Sequence, residues 1–334
     1  MPTHHPLNPF VLPGMRHAHQ ALEPKQGRPI ETDYVQVDHS LEAFAKFVEE
    51  AESADALVRG GRLVVVTGNG RTGKTSVLKR CEHWVEHELK NPAVAAEKPL
   101  RPRFVDLSRG PGQVLDADEL VEWAATRVIQ VLENEGSITP QVRDRWMAWD
   151  GPDRLEVASR WLGSNAQGEA RSDFGALLIE LPPQDSAVAL GRFARMAQPF
   201  VVLFCEYAPT VSDGRQWREE GWTSQAGPIE VRVGPLRPDD CERFINHRLQ
   251  LVYDRMQKEG LQGTVPSMAP DVWPQFEGYR TRLKDSLSIG MLQRWMFWSY
   301  ERALTETPLR TELSWVYLVE QFGELLVKGG SRDD

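Results

Sequence analysis

The sequence predicts an α/β fold: a parallel five-stranded sheet covered by helices, followed by a small C-terminal helical region. Three observations predict it. Short, near-continuous apolar runs recur between helical patterns, which is how strands buried on both faces of a parallel sheet read. One of these runs, Leu63–Val66, feeds directly into a glycine-rich turn and then a helical pattern. From Pro238 onward no strand pattern recurs, so the helices there form a region of their own.

In chain order, residues 1–33 carry prolines, glycines and histidines without periodicity and read as an extended arm. Leu41, Phe44, Phe47 and Val48 then mark one face of an amphipathic helix, capped by Asp38 or Ser40. The Leu63–Val66 strand and a helix beginning at Lys74 follow. Arg103–Ser108 is a short strand closed by the turn residues Gly110, Pro111 and Gly112. Leu120, Trp123, Ala124, Val128 and Val131 define the next helix face, and two further helical segments cover 142–149 and 154–162. Phe174–Glu180 and Phe200–Glu206 read as fully buried strands, separated by a helix over Ala187–Ala197. Ile229–Val233 alternates and is expected to be half exposed. Beyond it, 239–258 is helical, 263–274 is a proline-rich break, and two strong helices follow. The last carries its apolar stripe on Trp315, Leu318, Val319, Phe322, Leu325 and Leu326.

The turn after the first strand, Gly68-Asn69-Gly70-Arg71-Thr72-Gly73-Lys74-Thr75, matches the P-loop pattern G-x-x-x-x-G-K-[ST], and Ser76 extends it. Gly68 and Gly73 permit backbone angles that a side chain would block, so that N–H groups turn toward one point. Lys74 can reach the β and γ phosphates of a nucleotide, and the Thr75 hydroxyl can ligate Mg²⁺. The helix N-terminus adds a dipole that favours phosphate. ATP with Mg²⁺ is therefore the expected ligand.

Composition sets bounds on the rest. The 334 residues, 41% hydrophobic and 26% charged, are enough for one large or two smaller globular domains. A net charge of −9 argues against a chain whose main task is coating nucleic acid. Cys81, Cys205 and Cys241 are far apart and suit buried thiols in a reducing compartment. No run reaches the roughly 18 apolar residues of a membrane span, and Met1–Leu12 lacks a signal-peptide pattern, so a cytoplasmic protein is expected.

In this order the pieces resemble the AAA+/STAND branch of P-loop ATPases, from about Asn8 to Tyr300. Asn8-Pro9-Phe10 resembles the short element that opens many members, and Tyr34-Val35 is similar to the step near their adenine pocket. Val231–Asp240 resembles the exit from the fifth strand into lid helices. Gly290-Met291-Leu292-Gln293 falls where the family has its sensor-2 helix. The resemblance implies an arm over 1–37 that contributes to the nucleotide pocket, a P-loop domain over 38–237 and a helical lid over 238–334. ATP binding would close that lid onto the sheet.

The departures concern catalysis. The Walker B strand of the family ends in Asp then Glu, whereas here Ala176–Ile179 leads to Glu180 and the apolar Leu181. Glu180 then takes the Mg²⁺-side position, or, shifted by one residue, the base position; either way one carboxylate does a job usually shared by two. Glu206, at the sensor-1 position, is a candidate for the missing carboxylate. Gln293 stands where an Arg is usual, with Arg294 about 100° away around the helix. Arg215 and Arg218 are candidates for an arginine finger, weighed against a surface ion pair with the neighbouring glutamates.

His83-Trp84-Val85-Glu86-His87 matches the zinc-peptidase pattern H-x-x-E-H, but it begins nine residues after Lys74, and its far end lies roughly 20 Å along the helix from the phosphates with no third ligand nearby. It reads as a solvated flank. Trp295 has core spacing, while Trp298 falls off that face. His4, His5, His17 and His19 belong to a tail rather than a metal site.

These readings lead to an ATP-binding nucleotide-dependent switch or assembly factor with slow or absent hydrolysis, of a kind used in bacterial defence or signalling. Its effector is expected to be another protein or a further copy of the chain. The alternatives are a DNA-associated transposition-type ATPase regulator, which the acidic balance disfavours, and a scaffold that keeps the P-loop only as a turn.

Overall fold

The computed structural model describes residues 5–11, 35, 37, 39–91, 100–166, 174–208, 227–283 and 287–329. The chain divides into two compact units. One comprises Glu42–Asn69 and Lys74–Val233, the other Met1–Leu41, Gly70–Gly73 and Gly234–Asp334.

The first unit is the α/β one. Its described elements run α1 (Ser40–Ala51, entering from the other unit), α2 (Ala54–Gly60), β1 (Leu63–Thr67), α3 (Lys74–Lys90), β2 (Pro102–Asp106), α4 (Ala117–Asn134), α5 (Pro140–Met147), α6 (Asp153–Ala166), β3 (Ala176–Glu180), α7 (Ala187–Met196), β4 (Val201–Tyr207) and β5 (Ile229–Arg232). The strands form one five-stranded sheet in the order β2-β3-β4-β1-β5, and every pairing is parallel. β1 and β3 are buried along their whole length, as their unbroken apolar runs require. Alternate residues go to opposite layers. Leu63, Val65, Leu177, Ile179, Leu203 and Cys205 join the core built with α4, α5, α6 and α7, around Trp146 and Phe193. The intervening Val64, Val66, Leu178 and Val202 are buried on the other face, where α2 and α3 pack on the central strands.

Helix starts follow local chemistry. Asp116 caps α4 through a reciprocal capping box with Glu119, and Ser53, Thr139 and Ser186 cap α2, α5 and α7. The expected cap of α1 is different. Ser40 is already helical and its Oγ makes no hydrogen bond, while Asp38 lies outside the described residues. β5 shows the expected alternation of buried and more open positions.

The second unit is helical apart from one small parallel pair: α8 (Asp240–Glu259), β6 (Ser267–Met268), α9 (Val272–Leu283), α10 (Ile289–Ala303), β7 (Glu312–Leu313) and α11 (Trp315–Gly329), with β6 beside β7. Two features depart from expectation. The two-residue strands are too short to leave a periodic signal. α9 runs through Pro274, which occupies its first turn, where a missing N–H costs no intrahelical bond. Three helices therefore follow α8 instead of two. Their core contains Trp295, Phe276, Tyr300 and Phe322, and Trp298 is 51% exposed. Residues 5–11 are packed into this same core. Phe10 lies against Phe244 and Tyr300, and Asn8 Nδ2 donates to Phe297 O at 3.1 Å and Glu301 Oε2 at 2.8 Å. A single buried turn carries no period, which is why this stretch reads as a featureless arm in sequence.

Candidate nucleotide site

The P-loop leaves the carboxyl end of β1, the central position for ligands in an open parallel sheet. Gly68 and Gly73 have φ of 156° and 79°, the conformations for which glycine is needed, and Arg71 takes 64° despite its side chain. Asn69, Gly70 and Arg71 are exposed, Thr72 and Lys74 are buried, and Thr75 and Ser76 are half-buried. Lys74 Nζ donates to Asn69 O at 2.9 Å, folding back across its own loop. Burial holds the Lys74 ammonium below the usual lysine range, opposed by the negative charge of Glu206. An anion's oxygen would supply the counter-charge that a carbonyl cannot.

Beside the loop, the carboxyl ends of β2, β3 and β4 bring acidic groups together. Asp106 and Glu180 are directly paired across β2 and β3, and Glu206 is paired with Val66 across β4 and β1. Glu180 is 2% exposed, and its Oε2 accepts from Lys79 Nζ, which also lies 3.4 Å from Glu82 Oε2. Lys79 additionally stands over the Phe104 ring. Burial, reinforced by the charge of Glu180, raises the Glu82 carboxyl well above the usual carboxylate range. Burial also raises Glu180, against the bond and charge of Lys79 and with help from Asp106 and Glu206. Asp106 goes the other way: desolvation would raise it, but hydrogen bonds from Ser108 and the charges of Lys79 and Arg109 together hold it low. Leu181 is buried and its N–H is taken by Phe204 O at 2.8 Å.

In the helical unit, the Gly290 N–H donates to Arg71 O at 2.9 Å, and a Cβ on Gly290 would stand 2.9 Å from that oxygen. Ser288 caps α10. Gln293 is buried and Arg294 half-buried on that helix. Val35 is half-buried against the helical core; Tyr34, Arg215 and Arg218 lie outside the described residues, as do His4, His17 and His19.

The donor set can be compared with what Mg²⁺ requires, which is near-octahedral oxygen coordination with one or two carboxylates beside the phosphates. Thr75 offers a hydroxyl. Glu180, the carboxylate nearest to such a role, is already neutralised by an ammonium, which is not the environment of a metal ligand. Among the described residues no group of three or more His, Cys, Asp or Glu is arranged to hold a metal. This includes His83 and His87, whose rings stack at 6.0 Å. The three thiols are buried and unbridged, and burial pushes Cys241 up to about 12. No described helix is long and apolar enough to cross a membrane.

The sequence points to Glu180 and Glu206 but not to Lys79, Glu82 or Asp106. A signal was present: Glu82 interrupts the apolar stripe Leu78, Val85 and Leu89 of α3, and a carboxylate on a core-facing stripe needs a partner.

A P-loop on the strand flanked by β4 and β5, an all-parallel five-stranded sheet and a C-terminal helical unit define a P-loop NTPase fold of the AAA+ kind. Solved structures of similar fold include the Aeropyrum pernix ORC1 protein in complex with DNA, at 17% identity and a TM-score of 0.47, matched over 86% of this chain and 65% of that one. The Aeropyrum pernix ORC2 protein aligns at 14% identity and a TM-score of 0.48, over 90% of this chain and 70% of that one. Domain III of the Thermotoga maritima replication initiation protein DnaA aligns at 11% identity and a TM-score of 0.40, over 89% of this chain and 97% of that one. No family model and no curated protein matches the sequence.

Proposed function

We propose that the chain is an ATP-binding switch or assembly factor that holds ATP more readily than it consumes it, with slow or absent hydrolysis. The observation that carries this reading is the contrast between the two halves of the site. The phosphate-binding half is complete: loop glycines in the required conformations, a helix N-terminus, and a buried Lys74 whose ammonium lies on a weak acceptor. The water-activating half is not. Leu181 follows Glu180 with a buried apolar side chain, and Glu180 is engaged by Lys79. Without a base to orient water, a positioned triphosphate reacts slowly. Glu206 acts electrostatically on both Lys74 and Glu180, and is a candidate for a water-side carboxylate.

A ligand shifts a conformational equilibrium only by its differential affinity for the two states, and contacts between Lys74 and the γ phosphate are the source of that difference here. The partner is another protein or a second copy of this chain. Exposed apolar side chains on α10 and α11, Trp298 and Val316 among them, support a protein contact. A bacterial defence or signalling role is the setting we favour.

Calorimetric titration with ATP tests the reading. Wild type is expected to bind, and Lys74→Ala to lose about 10- to 100-fold in affinity, the range for removing a hydrogen bond to a charged group. Equal, negligible affinity in both would leave only a scaffold. Turnover is expected below about 1 per second.

A further inference from the structure

The Lys79–Glu180–Glu82 cluster has no part in the phosphate-binding loop, yet it contains Glu180, the carboxylate that the resemblance assigns to the Mg²⁺ side. Three facts define it. Lys79 Nζ is bonded to the Glu180 carboxylate and flanked by Glu82. The side chains are only 14%, 2% and 7% exposed for Lys79, Glu180 and Glu82, so water does little to screen the pair. Glu82 Oε1 is buried without a hydrogen-bond partner, so the cluster already has more acceptor than donor.

We propose that Lys79 is the resident counter-ion of Glu180, so that this chain binds its nucleotide with little help from Mg²⁺. The inference rests on the nucleotide-binding reading above. Its physical basis is competition for one carboxylate. A dication brought to Glu180 would stand beside an ammonium in a poorly screened site, and the repulsion would have to be relieved by moving Lys79 away. Moving Lys79 would take the cation beside Glu82 away as well. Mg²⁺ dehydrates reluctantly and gains little from a site whose carboxylate is already satisfied. Lys79 is a positioning residue: it acts through Glu180 and sets whether that side chain is available to a metal.

The test measures ATP affinity by calorimetry in Mg²⁺ and in EDTA, for wild type, Lys79→Met and Lys79→Arg, with folding checked by circular dichroism. Wild type is expected to show affinities within about threefold in the two conditions. Lys79→Arg keeps the charge and the same small ratio. Lys79→Met frees Glu180 for the metal, and a preference for Mg²⁺ of tenfold or more is expected to emerge. A wild-type ratio of tenfold or more overturns the inference while leaving nucleotide binding intact. An unchanged small ratio in Lys79→Met overturns it too, because Lys79 would then not be the cause. If Lys79→Met does not fold, the wild-type and Lys79→Arg ratios decide between the same outcomes. Failure of ATP to bind in either condition removes both this inference and the nucleotide reading.

Discussion

Glu82 shows how one buried side chain sets a pH dependence. Its carboxyl is raised by burial and by Glu180, so between the ordinary carboxylate range and its raised pKa the folded chain holds a proton that the unfolded chain has released. A group with a raised folded pKa contributes stability at low pH and loses it as pH rises from the ordinary carboxylate value through the raised one. Since Glu180 shifts in the same direction and the two interact, they titrate as a pair. The unfolding free energy from urea denaturation is therefore expected to fall as pH rises above the ordinary carboxylate range, by up to about 1.4 kcal/mol per pH unit for each proton involved. Glu82→Gln, which removes the titrating group and keeps the shape, is expected to flatten that slope; a slope unchanged in the variant would locate the titration elsewhere. At this scale the sequence was informative where chemistry is local. Lys74, Thr75 and the glycines of the loop are recognisable because they are neighbours in the chain. Lys79 was not, because nothing in its own neighbourhood shows that Glu180, 101 residues away, ends next to it.

The elements obey the same division. The buried strands β1, β3 and β4 were legible as apolar runs and β5 as an alternation. α2 was not recognised: its seven residues are too few for a helical period, and it is held by Ser53 at one end and by Gly61 at the other. Gly61 is the clearest single-residue test of this packing. It has φ of 63°, and a Cβ there would lie 1.9 Å from Gln198 O, a backbone atom. Gly61→Ala is expected to cost about 3 kcal/mol or more, read as a lowered melting temperature with the P-loop sequence untouched. A loss below about 1 kcal/mol would mean that the Gln198–Pro199 backbone yields easily. Pro274 in α9 and the two-residue strands β6 and β7 escape the sequence pattern for a related reason. A proline in the first turn of a helix looks the same in sequence as a proline that breaks one.

For the whole molecule, the prediction concerns the response to the γ phosphate. If ATP and ADP stabilise different states, the solution mass or the hydrodynamic radius of the chain differs between the two nucleotides, and sedimentation velocity reads the difference directly. The same mass, radius and affinity with both would end the switch reading and leave a nucleotide-binding protein without a conformational role. The sequence by itself determined the fold class, the five strands, the P-loop and the apolar Leu181 after Glu180, because periodicity and short motifs are properties of residues adjacent in the chain. Only the tertiary structure decided what Glu180 is bonded to, that the charge of Glu206 reaches both Lys74 and Glu180, and that Phe10 belongs to the core of the C-terminal helices. Those outcomes depend on strand register and on the rotation of α3 about its axis, quantities set by the packing of distant segments and written in no local pattern.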